Sequence, residues 1–224
     1  MANQVDVTAP VTRSLSGPGI YMCGLTWGDG LLWHSDQAAG KIFAMDRAIG
    51  TVVREIDCPQ ARADLAYHDG LLYQVGGRPK RLLLIDPRTG ALVGQQQVSP
   101  PSGRLCGTEA GPEGMWMCLR NPSVVQLRDF ESMTVRREYP VPGGPSGLTY
   151  APGFILYSQF EAGTIHAVDA ATGRLLGGVR VAGHPTGLTW DGYEIWYCDF
   201  RARTINAIRL NDVLNGTCVT SAAS

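Results

Sequence analysis

One pattern returns along this chain about every forty residues, and it limits the fold more than any other feature. Gly24, Asp64, Gly107, Gly147 and Gly187 hold the same slot, at spacings of 40, 43, 40 and 40 residues. Each unit opens with a short apolar stretch ("GLTW", "DLAY", "GTEA", "GLTY", "GLTW") and a tight turn rich in Gly, Asp or Pro. A second stretch follows ("LLWHS", "LLYQV", "MWMCL", "ILYSQ", "EIWYC"), then a third ("KIFAMD", "RLLLID", "VVQLRD", "TIHAVD", "TINAIR"). In three units an Asp- and Gly-bearing turn leads into a fourth, as in "DPRTGALV". Four-stranded units of about 40 residues mark propeller blades. The expectation is an all-β, five-bladed β-propeller forming one domain over residues 1–224, with inner strands starting near 23, 63, 106, 146 and 186. A two-sheet sandwich would not produce so strict a period. A helical solenoid needs a 3.6-residue period that these runs lack.

Ring closure is also readable. The fifth unit loses its pattern after Ile208, while "NQVDVTAPV" near the start precedes the first inner strand. Its alternating Val5, Val7 and Ala9, ended by Pro10, suggest that it completes the fifth blade and removes an open edge. The C-terminal "GTCVTSA" is the rival for that place.

Composition narrows function by exclusion. Nineteen basic and twenty acidic residues give a net charge of −1, which leaves nucleic-acid binding without electrostatic support. No apolar run approaches the roughly 20 residues of a membrane span, and "MANQVDVTAPVTRS" has neither a basic start nor an apolar stretch typical of a secretory leader. These features point to a cytoplasmic protein whose partner is a small molecule, with no nucleic acid and no membrane. Six Cys without tight spacing do not make a disulfide framework.

The informative positions are those where one repeat departs from the other four. The third repeat, "CGTEAGPEGMWMCLR", has Glu109 where three siblings have Thr26, Thr149 and Thr189. Asp64 stands alone in a slot of glycines. In a propeller the first strand lines the central channel, and the loops entering it share the top face with those between the second and third strands. That geometry gathers Tyr21, Arg62, Arg104 and His184 from one loop set, and Arg120, Phe160, Glu161, Asp199, Phe200 and Arg201 from the other. Cys106, Cys118, Cys198 and His34 come from the adjoining strands. The hairpin pairs Cys23 with His34 and Cys106 with Cys118. A carboxylate on an inner strand costs several kcal/mol if buried without a partner, so Glu109 requires compensation by Arg104, Arg120, water, a metal or a ligand.

The units "GLTWGDGLLWHSDQAAGKIFAMD" and "GLTWDGYEIWYCDFRARTINAIR" resemble repeats of a bacterial propeller group. It includes virginiamycin B lyase, gluconolactonase-like proteins, YncE-like repeat proteins and propeller-type glutaminyl cyclotransferases. The resemblance covers nearly the whole chain at the level of the repeat. It implies a site at the top of the channel, where lyases and lactonases of the group hold a divalent metal through carboxylates and His or Asn. Those members have six or seven blades where this chain has five.

Together these readings give a small-molecule enzyme with acid/base chemistry of lyase or isomerase type on a cyclic or aromatic metabolite. A lactone-type hydrolase and a non-catalytic binding or interaction propeller are the alternatives. Glu109, His34, Asp64 and His184 are the candidate catalytic groups. Tyr21, Arg62, Arg104, Arg120, Cys106, Cys118, Phe160, Glu161, Cys198, Asp199, Phe200 and Arg201 are the candidate substrate contacts. The cofactor is left open, with one divalent cation on Glu109, Asp64 and His34 as the candidate. Four Cys near the channel raise a redox or soft-metal role, against the plainer reading that their slots want a small buried residue.

Overall fold

The computed structural model describes residues 4–98, 103–216 and 218–219. The chain opens with β1 (Gln4–Val5) and β2 (Arg13–Ser16). Blade 1 is β3 (Met22–Gly28), β4 (Leu31–Asp36), β5 (Lys41–Met45) and β6 (Val52–Asp57). Blade 2 is β7 (Ala61–His68), β8 (Leu71–Gly76), β9 (Arg81–Ile85) and β10 (Leu92–Gln97). Blade 3 is β11 (Arg104–Gly111), β12 (Gly114–Arg120), β13 (Val124–Arg128) and β14 (Val135–Pro140). Blade 4 is β15 (Pro145–Ala151), β16 (Phe154–Gln159), β17 (Thr164–Asp169) and β18 (Leu175–Arg180). The last unit supplies β19 (Pro185–Trp190), β20 (Glu194–Asp199) and β21 (Thr204–Arg209), then α1 (Leu210–Asn215) and β22 (Cys218–Val219). Five antiparallel four-stranded sheets make a five-bladed propeller, as the repeat predicts.

Local chemistry explains the repetition. Asp29-Gly30 and Asp69-Gly70 have positive φ at both residues, the conformation a two-residue hairpin demands. Between the third and fourth strands, Asp46, Asp86, Asp129 and Asp169 each accept backbone N–H bonds from residues two or three further on. Such a side chain imitates a backbone turn. The fifth unit has Arg209 there, and the chain enters α1 instead of a fourth strand.

That substitution leaves the edge of β21 open, and β2 takes it, pairing Arg13 with Ala207 through Ser16 with Thr204. The N-terminal segment thus closes the ring, but through residues 13–16 rather than Val5–Ala9. Val5 and Ala9 are buried and Val7 is exposed, so their alternation is real. It serves the edge of blade 4, where Arg180 N–H donates to Val7 O (2.8 Å) and Ala9 N–H donates to Arg180 O (2.9 Å). Strand β2 reads "RSLS", with only Leu15 buried, and so carries little apolar signal. The C-terminal rival does not fill the blade either: Cys218 and Val219 pair with Val5 and Gln4, and the rest of "TSA" lies outside the described residues.

Five apolar clusters fill the seams between adjacent blades. Trp33, Trp116, Trp196, Tyr157 and Tyr197, all on second strands, are among the largest side chains buried there. The inner strands run down the central axis, and their starts form the floor of a funnel on the top face.

Candidate functional site: a plugged channel under a cationic funnel

The two unusual carboxylates lie on the axis. At the Asp64 level the inner strands approach so closely that a Cβ on Gly147 would sit 2.0 Å from Thr186 O, and one on Gly187 2.5 Å from Leu25 N. Four glycines are therefore required, and the fifth position sends its side chain into the centre. Asp64 Oδ1 accepts from the backbone N–H of Leu25 (3.0 Å) and Leu65 (3.1 Å). Its Oδ2 accepts from Leu148 (3.3 Å) and, more weakly, Thr108 (3.4 Å). Amides from four blades thus converge on one fully buried carboxyl group. Burial pushes it well above the usual carboxylate range, opposed by the Leu25, Leu148 and Leu65 amides and reinforced by Glu109.

Two residues further along the inner strands lies the Glu109 level. Thr26 Oγ1 donates to Glu109 Oε1 (3.2 Å), while Thr149 and Thr189 donate to Oε2 (3.3 and 3.4 Å). Each of these hydroxyls also accepts a backbone N–H from the preceding or following inner strand, from Tyr67, Trp190 and Trp27 respectively. In blade 2 the slot holds Ala66, which has no hydroxyl, so the Ala110 N–H that would have used it turns to Glu109 Oε1 (3.1 Å). A single Glu among Thr siblings is the acceptor that their hydroxyls share. Burial pushes Glu109 up to about 8, against the pull of the Ala110 amide and the three Thr hydroxyls.

The predicted metal set does not assemble. Donors surround both carboxylates, and His34 faces two carbonyls, Gly24 O from Nδ1 and Pro18 O from Nε2, each at 3.1 Å. Burial lowers the basicity of His34. Among the described residues no group of three His, Cys, Asp or Glu is arranged to hold a metal ion. His34 lies opposite Leu25 rather than Cys23, one residue of the difference coming from a register shift between Met22 and Gly24. The same shift in blade 3 places Cys118 opposite Gly107 rather than Cys106. Both side chains are fully buried behind the inner strands.

Above the plug lies a cavity of about 310 Å³, with Cys23, Ala63, Cys106, Ser146 and Thr186 at its floor. These residues immediately precede the Gly/Asp slot, so Asp64 and Glu109 lie beneath the floor and do not line the cavity. The predicted contacts Tyr21, Arg62, Arg104, Arg120, Cys106, Phe160, Glu161 and Phe200 do line it. Tyr21 meets Phe200 edge-on with centroids 4.8 Å apart, and Phe160 meets Phe200 at 5.6 Å, forming one aromatic wall.

Other predicted residues support the rim. His184 packs at a tilt against Phe160, ring centroids 5.0 Å apart, with its Nδ1 3.0 Å from Phe160 O. Asp199 Oδ1 accepts from the N–H groups of His184 and Arg201, both at 3.1 Å, stapling two top loops together. Arg201 itself is exposed. Cys198 is buried with its Sγ 3.8 Å from His34 Nδ1. Burial raises the Cys23 thiol to about 12 and also raises Cys106, Cys118 and Cys198, which leaves them protonated and poor nucleophiles.

The funnel also contains Lys80, in the slot just before the third strand that Gly40, Ser123, Gly163 and Arg203 fill in the other blades, a position the sequence reading did not compare. Lys80 Nζ donates to Leu105 O. Arg120 Nε donates to Pro145 O (2.7 Å), and Arg62 Nη1 donates to Ala61 O (2.6 Å). Arg104 and Arg120 lie directly opposite each other on β11 and β12. Among the described residues none of these four cations forms an ion pair, and Glu161 is the one carboxylate lining the cavity.

Comparison with known proteins reaches the fold. No protein-family model matches the chain, and no curated protein matches it in sequence. A crystal structure of Myxococcus xanthus glutaminyl cyclase superposes with a TM-score of 0.76 at 14% identity, covering 96% of this chain and 99% of that one. A nidogen/laminin complex gives 0.62 at 14% identity over 85% of this chain and 76% of that one. A streptogramin B lyase gives 0.54 at 17% identity over 97% and 74%. No helix among the described residues is long and apolar enough to cross a membrane. The chain shares its propeller architecture with two enzymes and with a chain of a protein–protein complex.

Proposed function

We propose that the protein is a small-molecule enzyme that binds a compact organic anion with a flat apolar part in the top funnel. Its chemistry is proton transfer, of elimination or isomerisation type. The observation that carries this reading is Arg104 facing Arg120 across a hairpin, in a cavity where Lys80 and Arg62 add charge and, among the described residues, no carboxylate pairs with any of them. Like charges directly opposite weaken a strand pair. A ligand carboxylate or phosphate offsets that repulsion and suits bidentate guanidinium bonds. The wall of Tyr21, Phe160 and Phe200 favours a ring or another flat group.

The proton-transfer groups must line the cavity, which moves the role from Glu109 and His34 to Glu161 and Lys80. Burial lowers the basicity of Lys80, the direction that favours a neutral amine able to accept a proton. Lactone hydrolysis ranks second, with Glu161 activating water. The similar folds include a cyclase and a lyase, which supports an enzyme, but a propeller alone does not dictate an activity.

A thermal-shift panel of phenylacetate, phenyl phosphate and benzyl alcohol tests the reading, followed by NMR of proton exchange into bound acids in D₂O. Stabilisation by the aromatic anions alone, lost in Arg104→Ala, and enzyme-dependent exchange are expected. Binding without exchange of any acid would leave a non-catalytic propeller. No stabilisation by either anion would overturn the anion site itself.

A further inference from the structure

Of the nineteen basic residues only two are lysines, Lys41 and Lys80. They occupy opposite environments. Lys41 lies on the surface and pairs with Glu55 at 2.5 Å, which raises its basicity. Lys80 is half-buried in the funnel wall, donates to a backbone carbonyl, and has no carboxylate partner among the described residues. Burial lowers its basicity, and the Arg104 charge acts in the same direction. The nearby Cys106, Cys118 and Cys23 could oppose this only as thiolates, and burial keeps all three protonated. The remaining funnel cations are arginines, which hold an anion but stay charged and cannot act as nucleophiles. The one funnel amine therefore stands beside three guanidinium groups able to hold a carboxylate, with an aromatic wall lining the same cavity.

From this placement we infer that Lys80 is an imine-forming nucleophile, and that the funnel takes a 2-oxo carboxylate with an aromatic or similarly flat tail. The inference rests on the funnel being the anion site. The neutral Nζ adds its lone pair to the carbonyl carbon, forming a C–N bond while the carbonyl oxygen takes a proton. The resulting carbinolamine loses that oxygen as water, its hydroxyl leaving with a proton from solvent while the nitrogen keeps its second proton, and a protonated C=N bond forms. The protonated imine draws electrons from the neighbouring carbon, so a proton leaves C3 to Glu161 or water and the pair moves into a C=C bond. Reprotonation and addition of water to C=N return the free amine and the carbonyl compound. A lysine adjoining another cation is a known setting for this activation.

The test is borohydride trapping with phenylpyruvate at neutral pH, followed by peptide mass mapping. Reduction of the C=N bond should fix an adduct on Lys80 and spare Lys41, with Lys80→Arg returning the signal to that of a reagent blank. A calorimetric titration with phenyllactate, which lacks the carbonyl, runs alongside to report the anion site separately. Phenyllactate binding without a Lys80 adduct would overturn the imine and leave the anion site standing. Equal labelling of Lys41 and Lys80 would also overturn it. Failure of phenyllactate to bind would overturn the anion site on which the inference depends. If Lys80→Arg does not fold, competition of phenyllactate against trapping in the unmodified protein decides the matter, and trapping unaffected by saturating phenyllactate would sink the proposal.

Discussion

The channel and the funnel both gather ionisable groups on the propeller axis, about one strand residue apart, and they treat them in opposite ways. In the channel, Asp64 and Glu109 are surrounded by donors from several blades. In the funnel, Arg104 and Arg120 face each other with no carboxylate paired to either among the described residues. Polar groups satisfied within the fold read as architecture, and charge left unpaired in a concave site reads as provision for a ligand. An unusual residue type in a repeat is therefore ambiguous until its partners are known.

The comparison breaks most sharply at Asp64. Replacing Asp64 with Ala leaves four inner-strand N–H groups without their acceptor, at about 1–3 kcal/mol for each buried group left unmet. A stability loss of about 4 kcal/mol or more in urea unfolding is expected, with Asp64→Asn retaining part of it. Normal stability in Asp64→Ala combined with lost activity would instead make Asp64 a functional group.

Glu109 sharpens the contrast through pH. Its folded-state value of about 8 lies above the usual 4.5, so the folded protein holds the proton more tightly than the unfolded chain. The associated stability is fully present below about pH 4.5 and is lost as pH rises through about 8. The loss across that window is on the order of 4 kcal/mol. Buried Asp64 shifts in the same direction. Denaturation of Glu109→Gln from pH 5 to pH 8 should show a flatter profile than the natural protein, and an unchanged slope would mean that Glu109 is ionised throughout.

Smaller effects are expected in the funnel. Arg104→Ala should weaken aromatic-anion binding roughly tenfold, about 1.4 kcal/mol, by calorimetry. Cys106→Ala, at the floor, should change that affinity less than about twofold, because a protonated thiol contributes little beyond filling space. A large loss there would restore a chemical role to the thiol.

How far the sequence reaches can be traced residue by residue. The period gives five blades and places each inner strand to within about two residues, because Asp-Gly turns and Asx turns repeat with it. Asp64 and Glu109 are visible as departures, but a repeat comparison does not show that the floor lies one residue above Asp64. The register shift at the start of β11 moves Cys118 from Cys106 to Gly107, and the one at the start of β3 supplies one of the two residues by which His34 is displaced from Cys23. The closing strand is displaced because "RSLS" buries one side chain while Val5 and Ala9 serve blade 4. Lys80 is legible too: it fills the slot before the third strand that holds Gly40, Ser123, Gly163 and Arg203 in the other repeats, and the scarcity of lysine also points to it.

The most direct test of the contrast between plug and funnel is urea unfolding of Arg104→Ala at pH 7, with and without saturating phenyl phosphate. Without ligand, the variant should equal or slightly exceed the natural protein in stability, since it removes a like-charge pair. With ligand, the natural protein should gain stability by linkage and the variant should gain much less. A variant destabilised without ligand, and still stabilised by phenyl phosphate to the natural extent, would show that Arg104 belongs to the architecture and would contradict the account.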